Sequence, residues 1–201
     1  MIKKIVVIGP ESTGKSTLCS QLAAHYKTLW CPEFARQYLI DNGTNYTFDD
    51  LATIAKGQLE LEAEYEVRST KYEGKTEDQR PKIKNPIPNS QFPLTAHQFL
   101  FLDTDMYVMK VWCEFVFGKC HQFILDEIQT RKYDLYLLCN IDLPWVQDEL
   151  REYPDEKPRQ ELFAIYQNIL SNQSTPWYLI SGTNEERLQN AINAINATFN
   201  L

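Results

Sequence analysis

The chain has 201 residues, 43% of them apolar and 23% charged, which describes one ordinary globular domain and excludes a disordered or fibrous chain. Twenty basic against twenty-seven acidic residues leave a net charge of −7, so a nucleic-acid backbone would be repelled and no nucleic acid is expected as a partner. No apolar run approaches the roughly 18 residues of a membrane span, and Ile5–Ile8 is too short for a signal-peptide core, so no membrane association is expected.

Lys3–Ile8 carries a continuously apolar, β-branched stretch, the pattern of a strand covered on both faces in a parallel sheet. It runs into Gly9-Pro10-Glu11-Ser12-Thr13-Gly14-Lys15-Ser16, which fits G-x-x-x-x-G-K-[ST] at every position. Leu18, Leu22, Ala23 and Tyr26 then recur at helical spacing over Ser16–Tyr26. A phosphate chain needs converging N–H donors with no side chains in the way, and a bent loop at a helix N-terminus supplies them together with the positive end of the helix dipole. Gly9, Glu11, Ser12, Thr13 and Gly14 are the expected cradle, with the two glycines allowing the bend. Lys15 is placed to reach the β- and γ-phosphates, the Ser16 hydroxyl to bind Mg²⁺, and the Thr17 N–H to meet the α-phosphate end.

Thr28–Cys31 reads as a short strand stopped by Pro32, completing a βαβ unit. Thr47 and Asp50 mark a helix start, and Leu51, Ile54, Ala55, Leu59, Leu61 and Tyr65 carry that helix to about Arg68. From Ser69 to Thr95 the pattern fails. Pro81, Pro86, Pro88 and Pro93 sit among basic residues there, and the stretch reads as a long insertion that is either mobile or covers a substrate or partner. Phe99–Leu102 is the next buried strand, ending at Asp103, with a helix over about Asp105–Phe117 after it. Leu135–Cys139 is a fourth strand. Pro144–Asp148 then leads past Arg151 to Arg159 and a further helix, a lid at about 144–160. Trp177–Ile180 is a fifth strand, and a last helix is capped at Thr183. Strands alternating with helices imply a three-layer α/β fold, a five-stranded parallel sheet with helices on both faces, in one domain over residues 1–201.

The five cysteines form no CxxC pair and lie in apolar contexts, so reduced thiols in a cytoplasmic protein are expected, and no zinc site. A guanine-reading Asn-Lys-x-Asp is absent, the nearest segment being Cys139-Asn140-Ile141-Asp142, so ATP is the expected nucleotide. Asp103 stands where a strand-end carboxylate holds Mg²⁺, and Asp105 is placed for the acceptor site; an aspartate after a strand also serves as an N-cap. A phosphoryl-accepting hydroxyl needs its proton taken as the new bond forms, and Glu33, just beyond the second strand, is the candidate base. Arg36 is either a salt-bridge partner or a phosphate ligand. Arg151 and Arg159 are candidate lid guanidinium groups that would neutralise the transferring phosphoryl and help exclude water.

Five segments in this order resemble the ribosylnicotinamide kinase domain of NadR proteins: Gly9–Thr17, Pro32–Arg36, Phe101–Asp105, Lys110–Trp112 and Pro144–Asp148. The resemblance implies a P-loop kinase that uses Mg-ATP to phosphorylate nicotinamide riboside on its 5′-hydroxyl, an NAD salvage step. It also implies that Glu33 or one of Asp103 and Asp105 serves the sugar hydroxyls, and that Trp112 or Trp145 stacks on the pyridinium. Three departures stand out. Asp148-Glu149-Leu150-Arg151 replaces the family's Asp-Gly-x-Arg, the Ser69–Thr95 loop is longer, and 201 residues are expected to hold neither an adenylyltransferase domain nor a DNA-binding segment. The alternatives are a kinase of another small nucleoside, or a regulatory ATP-binding module that signals to a protein partner.

Overall fold

The computed structural model describes residues 2–71, 99–150 and 155–201. The expected 69–95 insertion lies outside them beyond Lys71, and so does Arg151. Five strands form one sheet: β1 (Lys3–Ile8), β2 (Leu29–Cys31), β3 (Phe99–Leu102), β4 (Leu135–Cys139) and β5 (Trp177–Ile180). All pairings are parallel in the order β2-β3-β1-β4-β5, with Lys3 opposite Phe99, Leu29 opposite Leu100, Ile5 opposite Leu135 and Tyr136 opposite Trp177.

Seven helices complete the described residues: α1 (Lys15–Tyr26), α2 (Phe34–Asn42), α3 (Phe48–Lys71), α4 (Met106–Phe117), α5 (Gln122–Thr130), α6 (Glu156–Ser171) and α7 (Asn184–Phe199). Successive side chains of a strand point to opposite faces, and the apolar runs of β1, β3 and β4 therefore supply both. Ile5, Val7, Phe99, Phe101, Leu135 and Leu137 pack under α1 and α7, whereas Val6, Ile8, Leu100, Leu102 and Leu138 pack under α4 and α6. These side chains are fully buried, and each contributes about 1.5–3 kcal/mol of transfer free energy. A third cluster, including Leu51, Ile54, Met106, Met109 and Ile124, joins α2 and α5 to α3 and α4.

Three helices depart from the sequence expectation. α2, which buries only Ala35 and Leu39, falls where no helix is expected. α5 has one apolar face, with Phe123, Ile124 and Ile128 against the core, but its nine residues fall short of the roughly 10–12 that separate a helix from other short apolar runs, and no side-chain cap marks its start. α6 begins at Glu156, not after Pro158, because a proline in a helix's first turn removes an N–H that has no intrahelical acceptor. All five cysteines are free; Cys19, Cys31, Cys113 and Cys139 are buried and Cys120 is half-buried. Among the described residues, no helix is long and apolar enough to cross a membrane.

Candidate active site

The strand order decides which residues meet. β3 lies between β2 and β1, so the loop after β1, Glu33 just past β2 and Asp103 just past β3 converge at the carboxyl edge of the sheet. The pairing continues one residue beyond the strands, where the Asp103 N–H donates to the Cys31 carbonyl at 3.0 Å.

The glycine loop takes the left-handed bends its sequence permits. Gly9, Ser12 and Gly14 have φ of 144°, 57° and 79°. A Cβ on Gly9 would stand 2.9 Å from the Cys139 carbonyl oxygen, so the loop leaves β1 in contact with the end of β4 and no side chain fits there. The Pro10 carbonyl accepts from Thr13 Oγ1 at 2.8 Å and from Lys15 Nζ at 2.9 Å, folding the ammonium back over the loop. Gly14 is the N-cap of α1, which sets the loop against that helix's positive end.

Asp103 is 2% exposed, and its carboxyl is pushed up to about 7, first by burial and then by the neighbouring Glu33, against the pull of Lys15 and the Ser16 hydroxyl. Its Oδ1 has no hydrogen-bond partner among the described residues. Glu33 is likewise raised by burial, opposed by Lys15 and Arg36. Ser16 and Asp103 fit Mg²⁺: both are hard oxygen donors, the Ser16 hydroxyl favours the charged form of the Asp103 carboxyl, and one oxygen of that carboxyl is buried and unmatched among the described residues. Among the described residues no group of three or more His, Cys, Asp or Glu is arranged for a metal.

A buried carboxyl titrating near 7 makes a statement about stability. Its folded pKa lies above the unfolded value of about 3.9, so the folded state holds the extra proton between those limits and loses stability as pH rises through 7. Asp103→Asn removes that penalty. Its stability advantage in the nucleotide-free protein should grow by on the order of 1–3 kcal/mol between pH 5 and pH 8, read from urea midpoints. A constant difference would mean that Asp103 titrates as an ordinary carboxyl.

These groups open into a cavity of 320 Å³, within the range of small-molecule pockets. The glycine loop, Lys15, Ser16, Thr17, Glu33, Arg36 and Asp103 form its polar end. Val108, Val111, Trp112 and Phe115, along one face of α4, form an apolar wall, joined by Trp30 and Tyr166. The Trp112 Nε1 donates to the Tyr46 hydroxyl at 2.9 Å, and the two rings meet edge to face at 5.0 Å, which pins the indole.

The remaining expected site residues fall elsewhere. Asp105 does not line the cavity. It is the N-cap of α4, accepting from the N–H groups of Tyr107 at 2.9 Å and Val108 at 3.2 Å, while its other oxygen accepts from the Tyr136 hydroxyl at 2.8 Å. The substrate contact expected of it gives way to the capping role. Burial pushes its carboxyl up to about 7 against those three hydrogen bonds. Trp145 also lies off the cavity wall, its ring centre 5.7 Å from the Arg159 guanidinium. Arg159 is 7% exposed, not a surface charge, and donates to the Leu143 carbonyl at 3.2 Å. Arg36 pairs with Asp148 at 3.0 Å, and the Val146 N–H donates to Ser12 Oγ at 3.0 Å, so the start of the expected lid rests on the glycine loop and on α2. Trp30, Phe115 and Tyr166 were not singled out from sequence. Phe115 follows Val111 and Trp112 at i+4 and i+3, a signal that also fits plain core packing.

Comparison with known proteins agrees with this geometry. The AAA domain family AAA_28 matches residues 4–77 and 89–187. The trifunctional NAD biosynthesis/regulator protein NadR of Escherichia coli (strain K12) is 27% identical over 173 residues, 84% of this chain and 35% of that protein. NadR of Salmonella typhimurium is 27% identical over the same shares. The chain thus spans about a third of the length of the curated relatives it matches. Among solved structures, NadR protein in complex with NR is similar with a TM-score of 0.71 and 21% identity, over 100% of this chain and 50% of that one. Thymidylate kinase from Ehrlichia chaffeensis follows at 0.62 and 12% identity, over 96% and 98%. The resemblance to NadR therefore holds in sequence and in fold, the architecture is that of P-loop nucleoside and nucleotide kinases, and the chain belongs to the AAA domain family AAA_28.

Proposed function

We propose that this chain is an ATP-dependent kinase that phosphorylates nicotinamide riboside on its 5′-hydroxyl to give nicotinamide mononucleotide. The observation that carries this reading is that a phosphate cradle, two carboxylates and an aromatic wall share one cavity. Similarity to NadR supports the choice of nucleoside. The loop N–H groups and Lys15 hold the triphosphate at the positive end of α1. Ser16 and Asp103 would hold Mg²⁺, which supplies charge neutralisation on the transferring group when bound with the nucleotide.

The 5′-oxygen bonds to the γ-phosphorus while the bond from that phosphorus to the β–γ bridging oxygen breaks, and ADP leaves. Glu33 takes the hydroxyl proton. Burial raises its basicity, and Lys15 and Arg36 oppose that rise by favouring the accepting carboxylate. Trp112 presents a fixed ring to the cationic pyridinium, an interaction worth roughly 0.5–2 kcal/mol. The segment resting on Ser12 and Arg36 keeps water, the competing acceptor, from the γ-phosphate.

A coupled assay tests the reading: ADP should form only when nicotinamide riboside is added, with nicotinamide mononucleotide in equal amount. ADP release with other nucleosides but not this one would make it a kinase of different specificity. Equal release with and without nucleoside would make it a regulatory ATPase.

A further inference from the structure

Gln58 takes no part in the chemistry above, yet it is 1% exposed and reaches out of α3 to the turn that carries Glu33. Its Oε1 accepts the Phe34 N–H at 2.7 Å. Its Nε2 donates to the Pro32 carbonyl at 3.4 Å and to Cys31 Sγ at 3.7 Å. The Pro32 carbonyl and the Phe34 N–H belong to the two peptide units that flank Glu33, so one carboxamide grips the backbone on both sides of it.

Glu33 is the N-cap of α2, at φ −70° and ψ 119°, and its own side chain makes no capping bond. The first N–H groups of a helix lack intrahelical acceptors, and the N-cap side chain commonly supplies one. Here Gln58 supplies it from another helix, which releases the Glu33 carboxylate to line the cavity. Gly57 completes the seat. A Cβ at that position would stand 2.2 Å from the Phe34 ring, so the ring lies directly on the α3 backbone.

We infer that Gln58, seated through Gly57, is a positioning residue that holds the Glu33 carboxylate in the path of the acceptor hydroxyl. The inference rests on the kinase reading and on Glu33 as its base. Only a carboxamide of this length offers an acceptor to Phe34 and a donor to Pro32 together: leucine offers neither, and glutamate lacks the donor when ionised.

The test is a double-mutant cycle in the full chain, with kcat and both KM values measured. Gln58→Leu should lower kcat by at least about tenfold while KM for ATP stays within about threefold, since a reacting group misplaced by about 1 Å loses up to about 10²-fold. In a Glu33→Gln background the same substitution should change the residual kcat by less than about twofold, because no base is left to place. An unchanged kcat in Gln58→Leu, or equal losses in both backgrounds, overturns the positioning role alone. A wild-type rate in Glu33→Gln overturns the base assignment, and the positioning role with it. Should Gln58→Leu fail to fold, Gly57→Ala is the second variant: it favours the helix, displaces Phe34 from the other side, and should show the same loss and the same silence without Glu33. Leu51→Ala, which weakens α3 away from the turn, should leave kcat unchanged below its melting range.

Discussion

Lys15→Ala should abolish turnover, lowering kcat/KM by about 10³-fold or more, with the far-UV circular dichroism spectrum unchanged. The side chain's hydrogen bond in this structure goes to the Pro10 carbonyl at 2.9 Å, a half-buried contact within the glycine loop whose loss should leave sheet and helices intact. The consequence for the site is larger. Lys15 is the cation that opposes the upward pressure on both Asp103 and Glu33. Without it, the two carboxylates lose their shared counter-charge and move further toward the protonated form. The polyphosphate loses its ammonium partner at the same time. Truncating one member of a buried charge pair costs about 2–5 kcal/mol, and two such losses at one site account for three or more factors of ten. Retained turnover would remove the phosphate-cradle assignment and the kinase reading together.

Glu33→Gln should lower kcat by about 10²–10⁴-fold, the usual range for a general base, while ATP affinity measured by calorimetry stays within a few-fold. The carboxamide keeps the shape of the carboxylate and cannot take the proton. Because Glu33 approaches the nucleotide site from β2, and the cradle is built from β1, binding and proton transfer are carried by different elements and separate in the measurement. An unchanged rate would transfer the role to Asp103. Asp105 is no longer a contender, since its oxygens are engaged by α4 and Tyr136 away from the cavity.

Much of this was legible in the sequence because the informative signals are local. Gly9–Ser16 declares its backbone geometry through residue type, and Ile5–Ile8 and Phe99–Leu102 declare burial on both faces through unbroken apolar runs. Glu33 and Asp103 are recognisable one by one as carboxylates at strand ends. That they adjoin each other is not, because adjacency comes from β3 inserting between β2 and β1, a choice made by tertiary packing. Asp105 illustrates the same limit. Its capping role was visible, and what set it apart from a substrate ligand was a hydroxyl 31 residues away on β4. Trp112 was visible by residue type, whereas Trp30 and Tyr166 come from a strand and a helix that meet at the cavity only after folding.

The same strand order has a consequence for how the protein is made. Neither β1 nor β2 pairs with the other; both wait for β3, and Lys3 has no ladder partner until Phe99 exists. At about 5–20 residues per second, vectorial synthesis leaves an apolar strand without its neighbour for roughly 5–20 s. Long-range parallel pairing also raises contact order and slows the search. The nascent chain therefore carries its nucleotide-binding signature for many seconds before it has a nucleotide-binding site, and that interval is when it most needs shielding from other chains.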